Sequence, residues 1–160
     1  MKQIVVGIGE YQVSNDPEAV LATFSLGSCV AVALYDPLVK VGGLLHLMLP
    51  ESDINPLRAK EKPGMFADTG IPLLLEECLR LGAQKGRLQV KVVGGAEMLD
   101  SSGFFMIGKR NLAAVRKILW QNGLFIMKQE VGGNVNRSVF LDLGTGKVTV
   151  RISGEGTKEL

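Results

Sequence analysis

Short apolar runs that end at glycine or proline dominate the pattern along the chain. Most of these runs are rich in β-branched residues, and they are too short for typical helices. Runs of this kind, bounded by Gly, Asp-Pro or Pro, favour β-strands. The predicted strands cover residues 3–8, 20–26, 30–35, 41–49, 88–93, 125–130, 138–143 and 147–152.

The segment 68–81 instead carries apolar residues at helical spacing, with Leu74 and Cys78 on one face. Asp68 or Thr69 is expected to cap its start, because short polar side chains satisfy the first free N–H groups of a helix. A cysteine on an apolar helix face behaves as a small hydrophobic side chain. We therefore expect Cys78 to be structural.

A second helix is predicted over residues 110–121, with Gly123 as its end. The proline-containing segment 51–64 is expected to be a long surface loop. Strand therefore outweighs helix along the chain. We predict an α/β fold made of one strand-rich domain over residues 1–160, with mostly antiparallel or mixed sheets in a layered sandwich and the helices packed outside.

Composition and charge narrow the possible classes of function. The chain has 160 residues, a formal net charge of +2 and two cysteines. This charge gives no argument for binding nucleic acid, and two cysteines cannot build a disulfide framework. No secretion signal is recognisable, and the apolar run 41–49 falls far short of the ~20 residues that cross a bilayer. We expect a cytoplasmic protein that does not insert into membranes.

Candidate chemistry centres on the one histidine of the chain, His46. Histidine is the side chain most often used for proton transfer near neutral pH. A lone histidine in an apolar strand is nevertheless more often a hydrogen-bonded core residue. Its neighbours therefore decide between a core histidine and a catalytic base.

The strand pairing around a predicted turn at Asp36-Pro37 supplies such a neighbour. If Asp36 pairs with Val39 across a type I turn, Cys29 lies directly opposite His46. Their Cβ atoms would then be about 4.5–5.5 Å apart on one face of the sheet. This geometry suits a thiol and the imidazole that activates it.

The residues just before Cys29 add to this hypothesis. Gly27 and Ser28 make a small-residue break between two apolar strands. A sharp turn there would expose the Cys29 thiol and present backbone N–H groups beside it, as an oxyanion hole requires. An imidazolium at His46 would also lower the pKa of the thiol.

Several distinctive segments follow one another over most of the chain. They are Thr23-Phe-Ser-Leu-Gly-Ser-Cys29-Val, Gly42-Gly-Leu-Leu-His46-Leu-Met-Leu-Pro50, Lys62-Pro-Gly-Met-Phe-Ala-Asp68-Thr, Val93-Gly-Gly-Ala-Glu-Met98, Ile107-Gly-Lys-Arg-Asn111 and Gly132-Gly-Asn-Val-Asn-Arg137. In this order they resemble the CheD family of chemoreceptor glutamine deamidases. The departures from the family pattern are Phe66, where tyrosine is usual, and Pro72 near the predicted helix start.

The resemblance implies a cysteine hydrolase with Cys29 as nucleophile, His46 as base and Thr23 as the third member, without a cofactor or metal. It also implies an α/β layered fold. The implied reaction converts glutamine side chains of methyl-accepting chemotaxis receptors to glutamate with release of ammonia. Hydrolysis of glutamate methyl esters is attributed to some members of the family. The resemblance further implies a CheC-type phosphatase as partner.

A second hypothesis is a regulator without enzymatic activity. Such a protein would bind the CheC phosphatase or the receptors and retain an idle cysteine. The reactivity of the Cys29 thiol distinguishes the two, because a working nucleophile is an accessible thiol of low pKa.

Overall fold

Ten β-strands and three α-helices form within residues 1–97 and 106–160, which are the residues that the computed structural model describes. The helices are α1 (Pro56–Glu61), α2 (Ala67–Arg80) and α3 (Ile107–Gln121). The strands are β1 (Lys2–Val5), β2 (Tyr11–Ser14), β3 (Ala19–Leu26), β4 (Val30–Asp36), β5 (Val41–Leu47), β6 (Gln89–Gly94), β7 (Ile126–Val131), β8 (Arg137–Asp142), β9 (Val148–Ile152) and β10 (Gly156–Glu159).

The strands form two five-stranded sheets, ordered β1-β3-β8-β9-β10 and β2-β5-β4-β6-β7. Each sheet is mixed, because β1 pairs with β3 and β6 pairs with β7 in parallel while the other pairs are antiparallel. The predicted α/β class with mixed sheets is confirmed. None of the helices in the described part of the chain is long and apolar enough to cross a membrane.

Strand β4 shows how the layers are arranged. All seven of its residues are buried, and the first six alternate between two hydrophobic clusters. Val30, Val32 and Leu34 pack toward α2 and α3, whereas Ala31 and Ala33 pack toward the other sheet. Side chains alternate across a strand, so β4 is covered on both faces. The order of layers is therefore sheet, sheet, helices, as the layered prediction requires.

The segment 51–64 departs from its prediction as a loop. It contains α1 and two single-turn 3-10 helices, Ser52–Ile54 and Pro63–Met65. Asn55 caps α1 by accepting a hydrogen bond from the Arg58 N–H at 3.1 Å. Pro56 stands at the start of α1, where its fixed φ suits the helix and its missing N–H costs nothing. Pro56 and Pro63, two of the prolines that suggested a loop, each stand at the start of a helix.

Helix α2 begins one residue earlier than predicted, and the predicted cap is wrong. The N-cap is Phe66, which makes no side-chain cap. Asp68 instead accepts hydrogen bonds from the backbone N–H and the hydroxyl of Ser52, at 2.9 and 2.8 Å. A tertiary contact has therefore taken the carboxylate that capping would use. Pro72 lies inside the helix, and Gly82 follows its end with a φ of +107°, as expected.

Candidate active site

Thr23 on β3 and His46 on β5 meet between the two sheets. Leu45 and Leu47 belong to the cluster under the helices and Leu44 to the cluster between the sheets. Because side chains alternate, His46 shares the inter-sheet face with Leu44. Both Thr23 and His46 have no solvent exposure, and Thr23 Oγ1 lies 2.7 Å from His46 Nδ1.

The second bond of the Thr23 hydroxyl defines the tautomer of His46. Thr23 Oγ1 also lies 2.7 Å from the carbonyl oxygen of Val6, which can only accept a hydrogen bond. A hydroxyl has one proton, so the proton goes to Val6 and the hydroxyl accepts from His46 Nδ1–H. The neutral ring therefore carries its proton on Nδ1. Its other nitrogen, Nε2, keeps a free lone pair.

Burial determines the charge of His46. Nε2 is buried and has no hydrogen-bond partner among the residues that the structure describes. Desolvation lowers the pKa of His46 from 6.5 to about 4. At neutral pH the ring is therefore uncharged and Nε2 can accept a proton. The imidazolium expected from the sequence does not fit this burial.

Cys29 lies in the connection between β3 and β4, immediately before Val30. Cys29 is half-buried, although the turn was expected to expose it. It packs against the hydrophobic cluster between the sheets. His46 occupies the same inter-sheet layer. The structure thus brings the predicted nucleophile and base to one side of the β4–β5 pair.

The predicted strand register is wrong by two residues. His46 pairs with Ala31, and the last pair before the turn joins Asp36 to Val41. The turn therefore contains four residues, and Asp36 accepts a hydrogen bond from the Leu38 N–H inside it at 3.0 Å. A shift of two keeps Cys29 on the face of Ala31 and His46, because the side-chain period of a strand is two. Their arrangement is diagonal rather than directly opposite.

Backbone contacts from the end of β6 hold the segment before the nucleophile. The Gly95 N–H donates to the Cys29 carbonyl and the Ala96 N–H donates to the Gly27 carbonyl, both at 2.9 Å. Gly94 has a φ of +115°, and a Cβ at this position would collide with the Cys29 carbonyl oxygen. These glycines were not among the predicted site residues. Their signal was the Gly-Gly pair directly after a buried strand.

Cys78 is more deeply buried than Cys29. It lies on α2 with no solvent exposure, within the cluster under the helices. Desolvation, with a smaller contribution from the Glu77 carboxylate, raises the pKa of its thiol to about 12. The prediction that Cys78 is a structural residue of the core is confirmed.

In the part of the chain that the structure describes, no three His, Cys, Asp or Glu side chains group closely enough to hold a metal ion.

Comparison with known proteins gives the family. The family model described as "CheD chemotactic sensory transduction" matches residues 48–152, and this match begins two residues after His46. The chain belongs to the CheD family. It is 52% identical over 160 residues, all of both chains, to the "Probable chemoreceptor glutamine deamidase CheD 1" of Syntrophus aciditrophicus. It is 45% identical to the "Chemoreceptor glutamine deamidase CheD" of Thermotoga maritima, over 95% of this chain and 93% of that one.

A further relative spans the complete site. The "Probable chemoreceptor glutamine deamidase CheD" of Solibacter usitatus is 48% identical over all 160 residues of this chain and 94% of its own length. The full-length matches therefore include the segments that carry Thr23, Cys29 and His46, which the family model leaves out. Membership in the CheD family confirms the resemblance drawn from the sequence motifs.

Proposed function

We propose that this chain is a cysteine hydrolase that deamidates glutamine side chains of chemoreceptors, with Cys29 as nucleophile, His46 as base and Thr23 as the residue that orients the base. The observation that carries the proposal is the chain of hydrogen bonds from His46 Nδ1 through Thr23 to Val6. It leaves Nε2 of a neutral, buried imidazole as an acceptor in the layer between the sheets, against which Cys29 also packs.

In the first half of the reaction, His46 Nε2 takes the proton of the Cys29 thiol as the sulfur attacks the amide carbon of a glutamine. The C–S bond forms, and the carbonyl oxygen gains negative charge. When the C–N bond breaks, the imidazolium returns its proton to the leaving nitrogen, and ammonia departs. The product of this half is a thioester between the receptor side chain and Cys29.

In the second half, neutral His46 takes a proton from water while the water oxygen attacks the thioester carbon. The C–O bond forms, the C–S bond breaks and the imidazolium protonates the departing sulfur. Glutamate and the starting enzyme result. Because desolvation lowers the pKa of His46 to about 4, the ring is uncharged at neutral pH before each of these proton transfers.

The charge on the carbonyl oxygen needs hydrogen-bond donors in both halves. We propose that backbone N–H groups at Ser28 and Cys29 supply them. The bonds from Gly95 and Ala96 hold the carbonyl groups of this segment, so its peptide planes are fixed before the substrate arrives. Donors that are already oriented stabilise a developing oxyanion most effectively.

The nucleophile, the base and the proton shuttle all come from side chains of this chain and from water. We therefore expect deamidation to proceed without an added cofactor and to be insensitive to chelators. The substrates we propose are the cytoplasmic helices of chemoreceptors, which places the enzyme in the cytoplasm. We further propose a CheC-type phosphatase as a partner, on the ground of family membership.

The test is incubation of receptor cytoplasmic fragments with the protein, followed by peptide mass spectrometry. We expect glutamine peptides to gain the mass of an amide-to-acid conversion with the wild-type chain. Cys29→Ala should abolish the conversion, and His46→Ala should slow it by about 10²–10⁴-fold, the usual contribution of a general base. Unchanged peptides under all conditions, including added CheC phosphatase, would contradict the proposal and favour a regulator without enzymatic activity.

A further inference from the structure

Asn111 joins the segments that carry the proposed nucleophile and base. It lies in the second turn of α3, and its side chain has no solvent exposure. Its Nδ2 donates to the carbonyl of Ser28, the residue before Cys29, and to the carbonyl of Met48, two residues after His46, both at 2.9 Å. One amide group thus ties both segments to the same helix.

The bond to Ser28 has a direct consequence for Cys29. The peptide between them is planar and trans, so its C=O and N–H groups point in opposite directions. By holding the Ser28 carbonyl, Asn111 fixes the direction of the Cys29 N–H. That N–H is one of the groups to which we assign the oxyanion.

The start of α3 is itself anchored to the residues that follow β6. The Lys109 N–H donates to the Glu97 carboxylate at 2.8 Å. A Cβ at Gly108 would collide with the Ala96 carbonyl oxygen and lie 2.6 Å from that of Gly95. The helix backbone therefore approaches this segment as closely as glycine allows. The helix that carries Asn111 is therefore held in place against this segment.

The cost of burying Asn111 argues for a role beyond packing. Its Oδ1 is buried and has no hydrogen-bond partner within residues 1–97 and 106–160. Asparagine is also a poor helix former, and leucine would fill similar space without an unsatisfied oxygen. The two donated bonds are what leucine could not supply.

We propose that Asn111 is a positioning residue that orients the Ser28–Cys29 peptide for stabilisation of the oxyanion. This inference rests on the proposed function. Stabilisation of the oxyanion depends on the fixed plane of this peptide, whereas binding of the receptor helix does not. Substitution should therefore lower kcat and leave KM unchanged.

Two variants of similar size separate orientation from packing. Asn111→Leu removes both donated bonds, and Asn111→Asp replaces the donor with a carboxylate that faces two carbonyls. We expect both to lower kcat by about 10²-fold at neutral pH, the effect of a small misplacement of reacting groups. KM for a receptor fragment should stay within about twofold of the wild-type value.

The pH dependence gives a rescue that a packing defect cannot imitate. Burial beside two carbonyls raises the pKa of an introduced carboxyl, and its protonated form can donate one of the lost bonds. The ratio of kcat for Asn111→Asp to kcat for the wild type should rise as the pH falls. The same ratio for Asn111→Leu should stay flat. Parallel ratios for the two variants, or wild-type kcat in a folded variant, would overturn the proposal.

Hydrogen exchange provides a readout that needs no catalytic activity. The Gly95 and Ala96 amides donate to the Cys29 and Gly27 carbonyls, so they report on the segment that Asn111 holds. In Asn111→Leu these two amides should exchange faster, while amides of β8 and β9 keep their rates. Unchanged rates at Gly95 and Ala96, or a uniform increase throughout the chain, would overturn the inference. An inactive wild type with this local effect would refute the proposed function alone.

Discussion

Thr23→Val tests the assignment of the His46 tautomer, because it removes the hydroxyl and keeps the branched shape. The hydroxyl satisfies two buried groups, the His46 Nδ1–H and the Val6 carbonyl, each at 2.7 Å. Leaving a buried polar group without a partner costs about 1–3 kcal/mol. We therefore expect the free energy of unfolding to fall by about 2 kcal/mol or more.

Loss of the Thr23 hydroxyl should also reduce catalysis, because this hydroxyl keeps the ring proton of His46 on Nδ1. Without Thr23 Oγ1, about 1–3 kcal/mol that favours the Nδ1–H tautomer disappears, which corresponds to a factor of roughly 5–150 in the equilibrium constant between the two tautomers. The kcat for receptor deamidation should fall by up to this factor, and by less than in His46→Ala. Thr23→Ser is the matched control, because it keeps the hydroxyl and should keep most of the activity.

Nitrogen NMR of labelled histidine reads the tautomer directly, because the chain has one histidine. The wild-type spectrum should show a protonated Nδ1 and a bare Nε2 at neutral pH. Thr23→Val should shift this spectrum toward the opposite tautomer or a mixture. Wild-type kcat and an unchanged spectrum in folded Thr23→Val would refute the reasoning, as would a Thr23→Ser variant as inactive as Thr23→Val.

Two further predictions follow from burial. The pKa of His46 is about 4 in the folded chain and 6.5 unfolded, so the unfolded state binds the extra proton first. The free energy of unfolding should therefore be at its full value above about pH 6.5 and fall by about 3 kcal/mol as the pH drops to about 4. Denaturant titrations at several pH values would refute this if the free energy of unfolding of His46→Gln fell with pH as steeply as that of the wild type. Iodoacetamide at neutral pH should label Cys29 in the native protein and reach Cys78, whose pKa is about 12, only after unfolding; peptide mapping that finds Cys78 labelled first would contradict the site.

Much of the sheet architecture follows from local pattern, and its exceptions have physical causes. Strand β10 is fully exposed and polar, so its pairing with β9 rests on backbone hydrogen bonds that leave no hydrophobic signature. Strand β2 is a four-residue edge strand, too short to show alternation. Both were missed for these reasons. The interior strands were predicted because burial on one or both faces selects apolar residues.

The residues of the candidate site were likewise predicted only in part. His46 and Cys29 were predicted from the scarcity of histidine and from a turn, although the number of residues in that turn shifted the register by two. Thr23 entered through the family resemblance alone. It belongs to the other sheet, and spacing along one chain does not reveal which residues of two stacked sheets face each other. Asn111 was part of a quoted motif, but its contacts to Ser28 and Met48 depend on how α3 packs.

Rapid-quench mass spectrometry during turnover tests the central claim, covalent catalysis at Cys29. A receptor fragment is mixed with the wild-type protein, the reaction is stopped with acid, and the peptide containing Cys29 is analysed. We expect an adduct on Cys29 with the mass of the substrate less ammonia, which forms and decays as glutamate accumulates. The adduct should be absent from Cys29→Ala, which should also make no glutamate. Glutamate production by Cys29→Ala, or turnover by the wild type with the adduct on another residue, would contradict the account.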